Sequence, residues 1–206
     1  MSTVFSDTDH KRIADAIRAV ESETSGEIVC VVARQCEPYA IIAVMWSTLA
    51  GLLAGALAAP FWPGWPITGL PLLQVGVVLA VLLLLQIPSL RMRVVPSAVK
   101  HRRARRLAHT AFVDLGVHRT EGRTGILIFA AMAEHYVEII ADEGIHAKVP
   151  DGTWDTVVAE FSGHMKRGEI IEAFADAIAA CGQPLTEHFP RQGGNPNERP
   201  DHLIEI

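Results

Sequence analysis

Apolar residues recur at helical spacing near the start of the chain, where Ile13, Ala14, Ile17 and Val20 mark one face of a helix. Ser6, with Asp9 three residues on, has the form of a capping box that opens it. Gly26 closes this region, and Glu27-Ile28-Val29-Cys30-Val31-Val32-Ala33 predicts a short strand rich in β-branched residues. The pattern then changes in kind. From Pro38 to Leu90 no side chain is charged, although 20% of the 206 residues are. The turn-forming cluster Pro63-Gly64-Trp65-Pro66 divides this block into runs over 39–62 and 67–88. Each is close to the roughly 20 residues a helix needs to cross about 30 Å of hydrocarbon. The short connection makes them a transmembrane hairpin over 39–90, with Tyr39, Phe61, Trp62 and Trp65 where interfacial aromatic belts stand. Two buried helices of a soluble bundle are the competing reading. Adjacent runs of this length without a charge do not fit a chain that must keep returning to water.

Beyond the hairpin, Ala104, Leu107, Ala108, Ala111, Phe112 and Leu115 form the apolar stripe of a basic helix from Pro96 to Leu115, stopped by Gly116. Gly125 to Ala131 is almost wholly apolar, the pattern of a strand buried on both faces. His135 to Ala141 alternates, and the short link Met132-Ala133-Glu134 predicts an antiparallel pair. Asp142-Glu143-Gly144 turns the chain, and Ile145 to Val149 is expected to add an edge strand. Thr153 is placed to cap a helix with the stripe Trp154, Val157, Val158, Phe161 and Met165. Gly168 separates it from a second, with Ile170, Ile171, Phe174 and Ile178. The composition after Pro190 predicts a disordered tail over 191–206. One helix and one strand cannot bury their own apolar faces. Residues 1–38 and 96–190 are therefore expected to form one discontinuous domain. The predicted class is α/β, a small mixed β-sheet flanked by helices, with the two-helix hairpin inserted after the first strand.

Charge supplies the orientation. Arg91, Arg93, Lys100, Arg102, Arg103, Arg105 and Arg106 follow the second run, with no acid before Asp114. Basic residues so close to a span stay on the cytoplasmic side, and near anionic headgroups each contributes about 1 kcal/mol. The hairpin then sits in the plasma (inner) membrane, with the soluble domain and both termini cytoplasmic. The lipid bilayer explains the basic run, and the acidic remainder argues against nucleic acid. Met1 to Asp9 carries acids, unlike a secretory signal. Cys30, Cys36 and Cys181 form no CxxC pair and read as free thiols of a reducing compartment. Gly51-Leu52-Leu53-Ala54-Gly55 is a GxxxG run. Gly51 and Gly55 would admit a close helix partner: the other arm of the hairpin, a second copy of the chain or another membrane protein. Gln74 is expected to face the first run, and Gln86 to reach the interface.

Catalytic chemistry is not written in the chain: it holds no P-loop, GxSxG, HExxH, Cys-x5-Arg or DxDx[TV] pattern. Candidate metal ligands are Asp142, Asp151 and Glu121, which with Glu143 lie around the ends of the central strands. Solvated loop acids are the alternative reading. Arg119 and Arg123, near the same strand end, could hold an anion, while His109, His118, His135 and His146 are dispersed without ligand spacing.

Three stretches resemble the TPM-domain family, found in bacteria and in chloroplast proteins linked to photosystem II repair. Ser25-Gly26-Glu27-Ile28-Val29 is similar to its first strand. Thr124-Gly125-Ile126-Leu127-Ile128-Phe129, with Val137-Glu138-Ile139-Ile140 and Asp142-Glu143-Gly144-Ile145, is similar to its central hairpin. Gly168-Glu169-Ile170-Ile171-Glu172-Ala173-Phe174, running to Leu185 and His188-Phe189-Pro190, resembles its closing helix in a membrane-bound bacterial subgroup. Some members are described as assembly or repair factors for membrane complexes. With the hairpin, the basic flank and the missing catalytic pattern, the expected role is a binding, assembly or quality-control factor for membrane proteins without enzymatic activity. The alternative the resemblance carries is a phosphatase-like hydrolase, since some members are described as acid phosphatases and some as calcium binders. The family often has an acid and an asparagine before the central glycine, a position implicated in metal binding. Here Arg123-Thr124 stands there, and a guanidinium is no ligand for calcium, which takes oxygen donors. No cofactor is therefore expected.

Overall fold

The computed structural model describes residues 5–61, 64, 66, 68–150, 152–191 and 201–206, without the side chain of Glu121. The chain divides into two units, Met1–Cys36 with His101–Ile206, and Glu37–Lys100.

In the first unit, α1 (Asp7–Glu21) opens on the expected capping box. The Ser6 hydroxyl accepts from the Asp9 amide at 3.3 Å, and the Asp9 carboxylate accepts from the Ser6 amide at 2.9 Å. Its buried residues, Ile13 and Ile17, are those of the predicted stripe. Strands β1 (Glu27–Ala33), β2 (Gly125–Ala131), β3 (Tyr136–Ala141) and β4 (Leu203–Glu205) form one sheet in the order β3-β2-β1-β4. β1 is parallel to both neighbours, and β2 and β3 are antiparallel. Every residue of β1 and β2 is buried, because helices cover both faces. On one face α1 packs with α7 (Thr153–Arg167) and α8 (Ile170–His188), where Phe161 and Phe174 meet edge-on with centroids 4.9 Å apart. On the other lies α5 (Ser97–Asp114), whose small residues Ala104, Ala108 and Ala111 bring it close to Val29, Val31, Leu127 and Phe129. The mixed α/β sheet flanked by helices is as expected.

Three local expectations fail. Ile145 to Val149 is no edge strand: Asp142 caps a short helix, α6 (Glu143–His146), and the amides of Ile145 and His146 bond the Asp142 carbonyl. The far edge is filled instead by Leu203–Glu205, so the disordered tail expected over 191–206 does not hold for its end. Leu203 is buried there, and the Arg34 amide reaches the Ile206 carbonyl; residues 192–200 lie outside the described residues. Gly152, not Thr153, precedes α7; the Thr153 hydroxyl turns back to the Pro150 carbonyl at 2.7 Å.

In the second unit, α2 (Ala40–Ala58) continues as a 3-10 turn over Ala59–Phe61, and α3 (Gly69–Leu84) packs against it. α4 (Pro88–Val94) follows. Ala40–Phe61, 22 residues, is long and apolar enough to cross a membrane, whereas α3 passes that test only together with α4, across a 109° bend. The second predicted run, 67–88, is thus not one helix. It ends at Leu84 because Pro88 offers no amide to continue it, and Ile87 before it is extended (φ −71°, ψ 115°). Of the expected aromatic belt, Trp62 and Trp65 lie outside the described residues.

Candidate functional site

The loop before β2 and the turn after β3 meet around Arg123. This residue has φ +57°, and Gly122 before it has φ +79°. Gly144 sits on their carbonyls: a Cβ there would lie 2.5 Å from the Gly122 oxygen and 2.6 Å from that of Arg123. The tight approach turns the Arg123 guanidinium onto Asp142. Its Nε donates to Oδ2 at 3.0 Å and its Nη2 to Oδ1 at 3.2 Å, with Glu143 Oε2 3.2 Å away. Asp142 is buried, and its Oδ1 also accepts from the Glu143 amide at 2.8 Å. The paired carboxylates hold the Arg123 guanidinium more firmly protonated than usual, Asp142 being the main cause.

This arrangement does not fit a metal ion. Both Asp142 oxygens are engaged, and the cation between Asp142 and Glu143 is the guanidinium. Asp151 and the side chain of Glu121, the other candidate ligands, lie outside what is described. Among the described residues no group of three or more His, Cys, Asp or Glu side chains is arranged to hold a metal. An anion is equally ill served, because Arg123 already faces carboxylates. Asp142→Ala is expected to lower stability by about 2 kcal/mol, from the lost cap and the lost charged hydrogen bonds. Millimolar calcium should leave the wild-type melting temperature unmoved. Thermal unfolding followed by circular dichroism checks both.

The basic run is laid out on two helices. Arg91 and Arg93 are on α4, and Lys100, Arg102, Arg103, Arg105 and Arg106 on α5. Arg93, Arg102, Arg105 and Arg106 are exposed, while Ala104, Ala108 and Ala111 take the buried side of α5. Arg105 lies 3.6 Å from Glu138, which also has His109 at 3.6 Å and accepts from the Tyr136 hydroxyl at 3.0 Å. Burial and the Glu138 charge push the Tyr136 hydroxyl up.

Gly51 and Gly55 are buried in α2 against α3. A Cβ at Gly55 would collide with the Gln74 side chain, and one at Gly51 would lie 2.5 Å from Val78. The small-residue face is used within this unit, with Gln74 lying against it.

Two features escaped the sequence reading. Glu21 ends α1 with its carboxylate accepting from the Ile28 amide at 2.8 Å. Burial, together with the Glu27 and Asp201 charges, raises its pKa to about 8. A glutamate at the end of an amphipathic helix reads as solvated, so nothing in the sequence marks it. Glu134, in the β2–β3 link, is buried and accepts from the Cys36 amide at 3.0 Å. A groove of about 590 Å³ between α1 and α8, rimmed by Glu23, Gln183, Thr186 and Glu187, lies among none of these groups.

The first unit is therefore a helix-flanked mixed α/β sheet with an internal ion pair where its central loops meet. Residues 88–183 match the family model described as TPM domain, just under half of the chain. The match contains the central-hairpin stretch and most of the closing helix, and leaves out Ser25–Val29. No curated protein matches. A similar solved structure is the NMR structure of the BA42 protein from the psychrophilic bacterium Bizionia argentinensis, with a TM-score of 0.63 and 19% identity over 100% of this chain and 98% of that one. At that identity the likeness is one of fold.

Proposed function

We propose that this chain is a membrane-anchored TPM-like module that binds and helps assemble, or monitors, other membrane proteins, without an enzymatic activity of its own. The observation that carries the anchor is the surface of the second unit. Leu49, Leu52, Leu53 and Leu57 on α2, and Leu72, Val75, Leu79 and Leu83 on α3, all point outward, in a stretch with no charge from Pro38 to Leu90. Apolar surface so continuous is expected against lipid rather than water. The basic residues that follow favour the cytoplasmic side for the rest of the chain, lying on an anionic leaflet. Because Gly51 and Gly55 are occupied by α3, a protein partner would use other surfaces.

Impermeant-maleimide labelling of intact cells tests the anchor and its orientation. Single cysteines are placed at Ser2, Gly64 and Asn195 in a background lacking Cys30, Cys36 and Cys181. Labelling at position 64 alone is the expected result; labelling at 2 and 195 but not at 64 would reverse the orientation. The hydrolase alternative has no support from the Asp142 environment. The purified full chain is expected to turn over a generic phosphomonoester at background rate. Metal-dependent turnover abolished by Asp142→Ala would instead establish an enzyme.

A further inference from the structure

α4 leaves the hairpin at a defined height. Gly55 of α2 faces Gln74 of α3, and Gly51 faces Gln74 and Val78, so the two helices run antiparallel in step. Continued at that spacing, Leu84 at the end of α3 stands level with Met45. The chain then bends by 109° into α4. The last residue of α4 returns to α2, where the Trp46 indole Nε1 donates to the Val94 carbonyl at 3.1 Å. α4 therefore starts four residues beyond the Met45 level, and its last residue is tied to Trp46, about 9 Å past the start of α2 at the helical rise of 1.5 Å per residue.

We propose that α4 lies in the headgroup layer of a phospholipid bilayer and that Trp46 with the Val94 carbonyl marks the edge of the hydrocarbon. The proposal rests on the membrane reading above and adds where the boundary falls. Three properties of the segment fit that layer. α4 carries Arg91 and Arg93 within seven residues, and guanidinium groups are strongly disfavoured in hydrocarbon. Val94 O belongs to the last turn, where carbonyls lack helical partners and would be left bare in lipid; an indole supplies the donor. Indole rings themselves prefer the interface, apolar on one side and hydrogen-bonding on the other.

The consequence is a shorter crossing than the uncharged block implies. Ala40–Phe61 would span about 33 Å, but from Trp46 to Phe61 the helix covers about 24 Å. The 16 residues of α3 also cover about 24 Å. The two arms match each other and fall short of a hydrocarbon core of about 30 Å, a difference that bilayers meet by thinning locally. Ala40 to Met45 then shares the headgroup layer with α4, a helix about 10 Å across. Tyr39, the first interfacial aromatic along the sequence, sits outside the hydrocarbon edge.

The test uses the full chain in phosphatidylcholine–phosphatidylglycerol vesicles with Trp62, Trp65 and Trp154 changed to Phe, leaving Trp46. Lipids brominated near the headgroup should quench its fluorescence several-fold more than lipids brominated near the chain ends. A Leu53→Trp probe in a Trp46→Phe background should show the reverse order, since Leu53 faces outward near the middle of the stretch from Trp46 to Phe61. An Ile41→Trp probe should be quenched weakly by both. Strongest quenching of Trp46 by the deep bromines, with Leu53→Trp also deep, would overturn the proposal while leaving the anchor intact. Absence of quenching at every probe would overturn the membrane reading itself. Should the substituted chain not fold, a spin label at Met92→Cys in the cysteine-free background gives the same decision. Exposure to a polar relaxant supports the interfacial α4, and exposure to oxygen alone excludes it.

Discussion

Replacing Gly125 by alanine is expected to destabilise the first unit by about 3 kcal/mol, the upper range for forcing a methyl group into filled space. A Cβ at this position would lie well inside van der Waals contact of the Val117 carbonyl oxygen, with Val117 Cγ1 at 2.7 Å. Backbone cannot swing aside as a side-chain end can. Relief would require β2 to shift where Gly125 pairs with Glu27 and where its carbonyl accepts from the Asp142 amide at 2.9 Å. The strain would thus reach the Arg123–Asp142 pair. Thermal unfolding should show a midpoint lower by roughly 10 °C. Gly163→Ala in α7 is the control, since its Cβ would meet only Arg167 Nη1 at 3.6 Å. It should be neutral or stabilising by up to about 1 kcal/mol, because alanine is the better helix residue. Equal destabilisation by both substitutions would show that Gly125 is not held by close approach.

Stability should fall as pH rises from about 5 to 8, and Glu21→Gln should remove most of that slope. Glu21 has a pKa of about 8 in the folded chain, raised by burial first and by Glu27 and Asp201 next. Unfolded, it returns to the ordinary range near 4.3. Between the two values the folded state binds the extra proton, so the slope of unfolding free energy against pH is negative. Below the window both states are protonated and the residue is neutral to stability. Above it, the folded chain carries a charge that its surroundings disfavour. The full difference would approach 5 kcal/mol at about 1.4 kcal/mol per tenfold in proton affinity, and partial access to water reduces it to about 3. Glutamine retains an acceptor for the Ile28 amide. The variant should therefore match the wild type at about pH 4 and exceed it by about 3 kcal/mol at pH 8, measured by denaturant unfolding at each pH. Parallel curves for the two proteins would remove Glu21 as the cause.

One feature of the site was legible in the chain, and the reason is chemical. Arg123 before Gly125 offers no side-chain oxygen donor to calcium at that position, whatever the fold. That the same arginine would itself supply the cation for Asp142 was not legible. It depends on Gly144 allowing two loops to touch, and loop contact leaves no periodic trace. The capping box at Ser6 and the apolar stripes of α1, α5, α7 and α8 were readable, because each follows from covalent spacing along one element. The edge of the sheet was misread for the complementary reason. Ile145 to Val149 has strand-like composition, yet Asp142 nucleates a helical turn, while Leu203–Glu205 finds the open side of β1.

The sequence by itself determined the uncharged block, the basic run after it and the longer elements α1, β1, α5, β2, β3, α7 and α8, since these rest on local composition and spacing. Only the tertiary structure decided which groups are buried together. It turned Arg123 onto Asp142, put Glu21 against the Ile28 amide of β1 beside two further acids, spent the GxxxG face on Gln74 and tied α4 to Trp46. Each of these joins residues distant along the chain or across a bend, where close contact and exclusion of water, rather than local spacing, set the energy.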